Sequence, residues 1–582
     1  MEPPALKPRS STQGTVRRHC RIVLPLALGL SAPLAHAQVP PGAGTLQREA
    51  EQAIQPQRPQ LQPARPTARP MADDRKAARV TARAFGIEGA SLVDPAELNA
   101  LLQDLIGRPL TLAELEQAAQ RIAQHYRARG WYVRVYLPEQ DVSSGHIRIR
   151  VIEGRYGGVR LDGKEHRVNA AFVETLVTRE LEVGQPLSAH ALERGLLLAN
   201  DLAGIRTTGV LEAGEEAGST RLLLQLEDTP WISGDIGANN QGVKATGTHQ
   251  LVGGIALNNL SGYGDRLALR ALVAENMQNL QFQYNLPLGT AGWRLGIHAS
   301  ALDYELGDRF RPLKAEGQAH TRGLNLTYAW LRRSDRNLNL SAAWEQRRYD
   351  DNTLDAPLRR HKVDALTLGL SGDLNDSLGG GGVTWGGLQL VRGQLHIGDV
   401  ADDRAIDAAG PRTNGHYTKL ALQLSRLQSL GASGWQLLAG LSGQTAAGNL
   451  GSSEKFSLGG PNGVRAYPVN EGSGDEGVLL KLELQRPLGG GWQATAFYDT
   501  GYIRQHRKLW AGWDCACNQP NAYSLSGAGL GLSWQRPGDW TLAASIAAPL
   551  GSNPGSGAGN LNNDGSRANA PRFWLNLSKA FL

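Results

Sequence analysis

The run Gly459-Gly460-Pro461-Asn462-Gly463-Val464-Arg465-Ala466-Tyr467-Pro468 is the most informative in the chain. It lies between two runs that read as β-strands, and its Gly and Pro residues specify a fixed turn that presents one Arg beside one Tyr. Downstream, Phe497-Tyr498-Asp499-Thr500-Gly501 falls near the end of another strand-like run. A long loop with one Arg and a strand with one Asp suggest a loop folded back and tethered by an ion pair. The plainer alternative is an exposed loop Arg and a strand-end Asp that never meet.

The bulk composition sets the frame for this loop. The chain has 582 residues, enough for several domains. Hydrophobic residues are 41% and mean hydropathy is −0.32, the average of a soluble protein. No apolar run of about 18 or more residues follows the N-terminal segment, so no transmembrane helix is expected in the mature chain. A membrane β-barrel gives this same average, because its strands alternate apolar outward and polar inward. The 71 Gly, and Trp (13) and Tyr (14) in excess of Phe (8), fit strand turns and interfacial girdles. The net charge of +6 carries no Lys/Arg block with interleaved aromatics, so nucleic acid is not an expected partner.

In order along the chain, residues 1–37 read as a secretory signal peptide. Arg17, Arg18 and Arg21 precede an apolar run from Ile22 to Leu30, and Ala35-His36-Ala37 predicts cleavage between Ala37 and Gln38. The long leading segment leaves a start downstream of Met1 open. Residues 38–77 hold a short helix over Leu46 to Ile54, with Arg48, Glu49 and Glu51 exposed, and then a Pro/Gln-rich linker. Residues 78–154 read as a β-α-α-β-β unit. A strand around Val80–Phe85 is followed by a helix from Pro95 to Leu105. Thr111-Leu112-Ala113-Glu114 is a capping box opening a second helix, with Leu112, Leu115, Ala119, Ile122 and Tyr126 on one face. Gly130 stops that helix, and two alternating strands follow. Residues 155–229 repeat the order. From 230 to 582 helical spacing vanishes. Sixteen runs alternate in polarity between Gly/Asn/Asp/Ser clusters, as an antiparallel barrel with no free edge requires. That count puts Arg465 between the eleventh and twelfth runs, inside a loop around 457–476, and Asp499 in the thirteenth.

These features resemble one family. Val464-Arg465-Ala466-Tyr467 is similar to the V-R-G-Y/F tip of the inward-folded sixth loop in outer-membrane transporters of two-partner secretion, the TpsB group of FhaC/ShlB/HecB haemolysin secretion/activation proteins within the BamA superfamily. Phe497, Asp499 and Gly501 match that family's F-x-D-x-G wall motif. The Arg465–Asp499 pairing rests on this resemblance, and a lumenal Arg also needs a carboxylate partner. Tyr467 is expected to pack on the inner wall. Ala466 replaces the family's usual Gly, and because Ala tolerates positive φ poorly the turn is expected to differ there. The resemblance implies two periplasmic POTRA domains followed by a 16-stranded barrel, and a lumenal plug for the helix near residues 45–55. Phe573, Leu575, Leu577 and Phe581 resemble a C-terminal assembly signal read by the barrel-assembly machinery, with Leu582 displacing the usual terminal aromatic.

The implied function is secretion, and in some members activation, of a large exoprotein such as a haemolysin, adhesin or contact-dependent toxin. The client is bound by the POTRA domains and moved across the outer membrane by a monomer without nucleotide hydrolysis. A barrel-assembly or insertion factor of the same superfamily is the alternative, and a passive porin is a third class. No catalytic constellation emerges: Gly379-Gly380-Gly381-Gly382 is not followed by Gly-Lys-Ser/Thr, and H-E-x-x-H and G-x-S-x-G are absent. An enzyme, a cofactor and a metal centre are therefore not expected. Cys515 and Cys517 remain after signal removal. In an oxidising compartment they read as a disulfide, with a metal-binding pair the alternative, although no His or second Cys pair lies nearby. Thiol labelling of intact cells is expected to fail without reductant and to succeed with it. Labelling in the absence of reductant would show free thiols.

Overall fold

The computed structural model describes residues 40–53, 79–216, 218–514, 519–536, 540–557 and 559–581. The cleavage site at Ala37 and Gln38, the linker, and Cys515 and Cys517 lie outside the described residues. The α-helices among those residues are α1 (Ala43–Ala53), α2 (Pro95–Ala100), α3 (Leu112–Ala128), α4 (Ala170–Thr178), α5 (Ala189–Asn200) and α6 (Ala401–Ala409).

The first α/β module forms because its two periodicities face one another. Ile147, Ile149 and Val151 alternate onto one face of His146–Glu153, where they meet Leu98 of α2 and Leu115, Ile122 and Tyr126 of α3. His146–Glu153 is the central strand, parallel to Ala84–Glu88 and antiparallel to Val133–Tyr136. The capping box opens α3: Thr111 Oγ1 accepts from Glu114 N, and Glu114 accepts from Thr111 N at 2.7 Å. Gly130, at φ +84°, ends the helix where a side chain would be strained. Three local readings change. The strand expected around Val80–Phe85 is two short ones, Arg79–Thr81 and Ala84–Glu88. The helix expected from Pro95 to Leu105 stops at Ala100 and resumes as a single 3-10 turn, Gln103–Leu105. Leu112 is 63% exposed: it is the first residue of α3, a turn short of the packed face, and Ala118 takes its place in the core.

The second module repeats the arrangement. Ser219–Asp228 is central, parallel to Arg155–Leu161 and antiparallel to Ile205–Ala213, with α4 and α5 packed over Leu222, Leu224 and Leu226. Asn169 and Ser188 cap the two helices through Phe172 N and Ala191 N. The helices cross at Gly195, where an added Cβ would lie 2.3 Å from the Val177 carbonyl oxygen. This module is seated on the barrel by a bidentate ion pair, Arg332 Nε and Nη2 to Asp201 at 3.0 and 2.7 Å. Backbone bonds from Asn169 N to Gly262 O and from Ala203 N to Gly264 O add to it.

Sixteen strands, from Ile232–Asn239 to Arg572–Phe581, pair antiparallel with their sequence neighbours, and the last pairs with the first to close the barrel. Closure satisfies every edge that lipid would leave without a partner. The alternating leucines point outward: Leu280, Leu324, Leu366, Leu422 and Leu484 are all exposed. Trp231, Trp293, Trp330, Trp435, Trp492 and Trp540 also face out, and all lie at the strand ends nearest the α/β modules, where they form the girdle of one membrane interface. At the opposite end two connections are two-residue turns, at 275–276 and 354–355, and the others are longer, the longest spanning 447–475.

Helix α1 lies within the barrel. Ala43, Leu46 and Ala50 pack with Leu272, Leu302, Tyr304 and Tyr349 of the wall. The expectation of exposed charges on this helix holds for Glu51 alone. Glu49 is buried and Arg48 half-buried, because the helix is enclosed by a lumen lined with polar side chains rather than by water. Gly195→Val is expected to overpack the α4–α5 crossing by ~1–3 kcal/mol. Limited proteolysis of the full chain should then cleave the second module at lower protease concentration, while the heat-modifiable mobility of the barrel on gels stays unchanged.

Candidate functional site

The connection between the eleventh and twelfth strands, Gln436–Ala446 and Glu476–Gly489, folds into the barrel instead of away from it. Its stem is a two-residue ladder in which Phe456–Ser457 pairs with Ser473–Gly474. Its tip is tightened by backbone bonds from Val464 N to Leu458 O (2.7 Å), Gly463 N to Gly460 O (3.0 Å) and Gly460 N to Tyr467 O (3.1 Å). Two glycines make the turn feasible. Gly460 has φ +114°, and a Cβ on Gly463 would sit 1.8 Å from the Leu458 carbonyl oxygen.

The tip presents Arg465 to the inner wall. Its Nε and Nη2 bind the two carboxylate oxygens of Asp499, each at 2.7 Å, a planar fork on a planar acceptor. Its Nη1 binds Glu483 Oε1 at 2.9 Å, and its backbone N–H reaches Asp499 Oδ2 at 3.2 Å. The guanidinium lies over the Phe497 ring, 3.4 Å from the centroid. The Arg465 carbonyl accepts from the Trp574 indole Nε1–H at 2.8 Å. Asp499 is fully shielded from solvent and the Arg465 side chain is 10% exposed, so the charges sit in a desolvated site. Removing one partner there costs about 3–5 kcal/mol, less where water re-enters.

Strand pleating makes this hub possible. Phe497, Asp499 and Gly501 are two residues apart and share the inward face. Gly501 leaves room for Leu458, whose Cδ2 would lie 2.4 Å from an added Cβ. Val464, Ala466 and Tyr467 are buried with Leu458, Leu479, Ile503, Tyr523 and Leu525, so the Tyr lies against the wall. The turn expected to differ at Ala466 is ordinary: Ala466 has no positive φ, and its methyl fits because Gly527 opposite has no side chain. Phe573, Leu575, Leu577 and Phe581 are exposed on the outer face of the last strand, while Trp574 between them points inward.

Further polar anchors hold the rest of the loop. Glu454 at its base is bound by Arg347 at 2.8 Å and Lys419 at 3.0 Å, and Lys455 by Asp475 at 2.8 Å. On the other limb, Glu471 accepts from Asn553 Nδ2 at 2.6 Å and from Asn563 N at 2.8 Å. Burial pushes its carboxyl up, against those donors. Arg48 of α1 donates to the Lys455 carbonyl, so helix and loop touch inside the lumen. The sequence reading missed Glu483 and Trp574. The outward leucines 480, 482 and 484 already placed Glu483 inward, and Phe573 and Leu575 did the same for Trp574, but nothing local said which inward residues meet the loop. Among the described residues no cluster of His, Cys, Asp and Glu could hold a metal ion.

A lumen sealed by strand pairing all round, approached from α/β modules and crossed by a loop tied to its inner wall, is the architecture of an outer-membrane protein transporter. Comparison with known proteins places it more closely. The haemolysin secretion/activation protein family ShlB/FhaC/HecB matches residues 218–534, and the ShlB-type POTRA domain matches residues 80–154. The heme/hemopexin transporter protein HuxB of Haemophilus influenzae (strain 86-028NP) is 28% identical over 494 residues, 83% of this chain and 84% of the relative. The outer membrane transporter CdiB of Dickeya dadantii (strain 3937) is 25% identical over 461 residues, 74% and 79% of the two chains. The solved structure of CdiB from Escherichia coli superposes with a TM-score of 0.66 at 21% identity, covering 94% of this chain and all of that one, a likeness of fold. The chain belongs to the ShlB/FhaC/HecB haemolysin secretion/activation family, and it is an outer-membrane transporter that secretes an exoprotein partner by two-partner secretion. The alternative of a barrel-assembly factor gives way to that membership.

Glu483→Gln keeps a neutral acceptor for Arg465, whereas Asp499→Ala removes the fork. The first is expected to lower secretion by roughly twofold to fivefold and the second by more, since hydrogen bonds to charged groups contribute ~1.5–3 kcal/mol each. Quantitative immunoblotting of culture supernatants checks the order.

Proposed function

We propose that the transporter rests with its lumen occupied by α1 and by the Arg465 loop, and that secretion proceeds by loosening both. The observation that carries this reading is the Arg465 fork on Asp499, a charge pair shielded from water in the middle of the path a client takes. A desolvated ion pair with ideal geometry holds one loop position firmly, and it exchanges for water when the lumen is wetted. The clients we propose are large exoproteins of the haemolysin, adhesin or contact-dependent toxin kind. The name of a further relative, the hemolysin transporter protein HpmB of Proteus mirabilis, favours the haemolysin kind.

The client arrives unfolded. Residues 78–154 and 155–229, two POTRA domains on this reading, offer strand edges to its extended segments by β-augmentation. The second repeats the strand order of the first, which supports treating it likewise. The drive comes from folding of the client outside, which removes chain from the lumen, so neither nucleotide nor catalytic residue is invoked. The outward row Phe573, Leu575, Leu577 and Phe581 is the face the barrel-assembly machinery reads during insertion. The closed barrel works as a monomer.

Arg465→Ala and Asp499→Ala are each expected to reduce release of the exoprotein client by roughly tenfold or more, with barrel insertion and heat-modifiable mobility intact. The double variant should be little worse than either single, because both remove one interaction. Arg465→Lys should also be defective, since an ammonium cannot form the fork. Defects that add in the double variant, or normal secretion by Arg465→Ala, would show that the loop is held another way.

A further inference from the structure

Helix α1 enters the lumen with its N-terminus toward the long-loop end of the barrel. There the residue before it, Gly42, has no side chain with which to cap it. The Gly42 carbonyl accepts from Thr45 N at 3.0 Å and Leu46 N at 3.2 Å, which starts the helix but leaves its first amides without acceptors of their own. The first turn also contains no acidic residue. An isolated helix of this length is marginal in water.

The missing acceptor comes from the wall. Asp351, near the end of the strand Arg336–Thr353, accepts from Ala43 N through Oδ1 at 2.8 Å, from a position 308 residues away in the chain. Asp351 is 5% exposed and its carboxylate is held in place: Tyr304 OH donates to the same oxygen at 2.6 Å, and Arg359 Nη1 lies 3.7 Å from Oδ2. A carboxylate at this end also faces the positive pole of the helix. Gly42 is part of the fit, because a Cβ there would lie 2.8 Å from Asp351 Oδ2. We infer that Asp351 is the N-cap of α1, supplied from the barrel wall, and that this contact sets how long the helix stays in the pore. The inference rests on the reading that α1 occupies the resting lumen as a plug.

On this account Asp351 is a positioning residue. It makes the helical form of residues 43–53 stable where they are docked and not where they are free, so helix formation and pore closure become one event.

The test is single-channel recording of the full chain and its variants in planar bilayers, with heat-modifiable mobility confirming a folded barrel in each. Deleting residues 40–53 should give a steadily higher conductance. Asp351→Ala should raise the fraction of time in that open level by roughly fivefold, the factor corresponding to ~1 kcal/mol for loss of an N-cap. Asp351→Asn should stay near the parent, because Asn is as good an N-cap as Asp. Within the deletion background Asp351→Ala should change nothing. If deletion opens the pore and Asp351→Ala does not, the cap is overturned and the plug stands. If deletion leaves conductance unchanged, the plug reading fails and the cap falls with it. If Asp351→Asn opens the pore as fully as Asp351→Ala, the Arg359 ion pair, and not capping, holds the helix.

Discussion

A guanidinium taken out of water inside a membrane barrel dictates the arrangement of loop and wall around it. Arg465 cannot be left there alone, because an unpaired buried charge costs more than any single contact in the loop can return. Asp499 answers it with a fork, Glu483 with a second carboxylate, Phe497 with a ring face, and Trp574 holds the backbone from the last strand. The wall beside the loop is shaped to admit it. Gly501 and Gly527 stand where side chains would collide with Leu458 and Ala466. Loop and wall are thus complementary in charge and in volume, and the chain ends on the strand that completes the hub.

The barrel inverts the usual relation between burial and polarity. Its apolar side chains face lipid, its polar ones face the lumen, and the buried charges of α1 follow from that inversion. A helix entering such a lumen finds a lining of polar side chains, and it is seated by directed contacts such as those of Arg48, Glu49 and Ala43 as much as by Leu46 and its neighbours. Directed contacts among polar groups can be exchanged for water at small net cost. A segment held in this way is firm while dry and replaceable when the lumen is wetted, which suits a part that must clear the path of a client. The two α/β modules are held differently. Each has its own apolar core, and the second is clamped to the barrel by the Arg332–Asp201 fork.

Much of this was legible from residues alone, because local rules dominate where they apply. Period-two alternation from Trp231 onward, bounded by Gly and Asn turns, requires strands, and strands in lipid must close on themselves because no edge can be left unpaired there. The capping box at Thr111 and the apolar spacing of Leu115, Ala119, Ile122 and Tyr126 specify α3 with no help from elsewhere in the chain. The motif pair around Arg465 and Asp499 marked the loop and the wall it meets. Where local rules were weak the reading slipped. Leu112 obeys helical spacing but lies a turn outside the core, and Arg48 and Glu49 look like surface charges until a barrel surrounds them.

Residues alone specified the class of element, the order of the modules, the number of barrel strands, and which face of each strand carries polar groups. They did so because these depend on neighbours two to four residues away. Which inward residues meet was left to the closed barrel. Glu483 and Trp574 converge on Arg465, and Asp351 on Ala43, across separations of 18, 109 and 308 residues. Those meetings follow from the register of distant strands and from the depth to which a loop and a helix enter the barrel. No local pattern encodes them, because they are set by how the closed sheet brings its rungs to a common level.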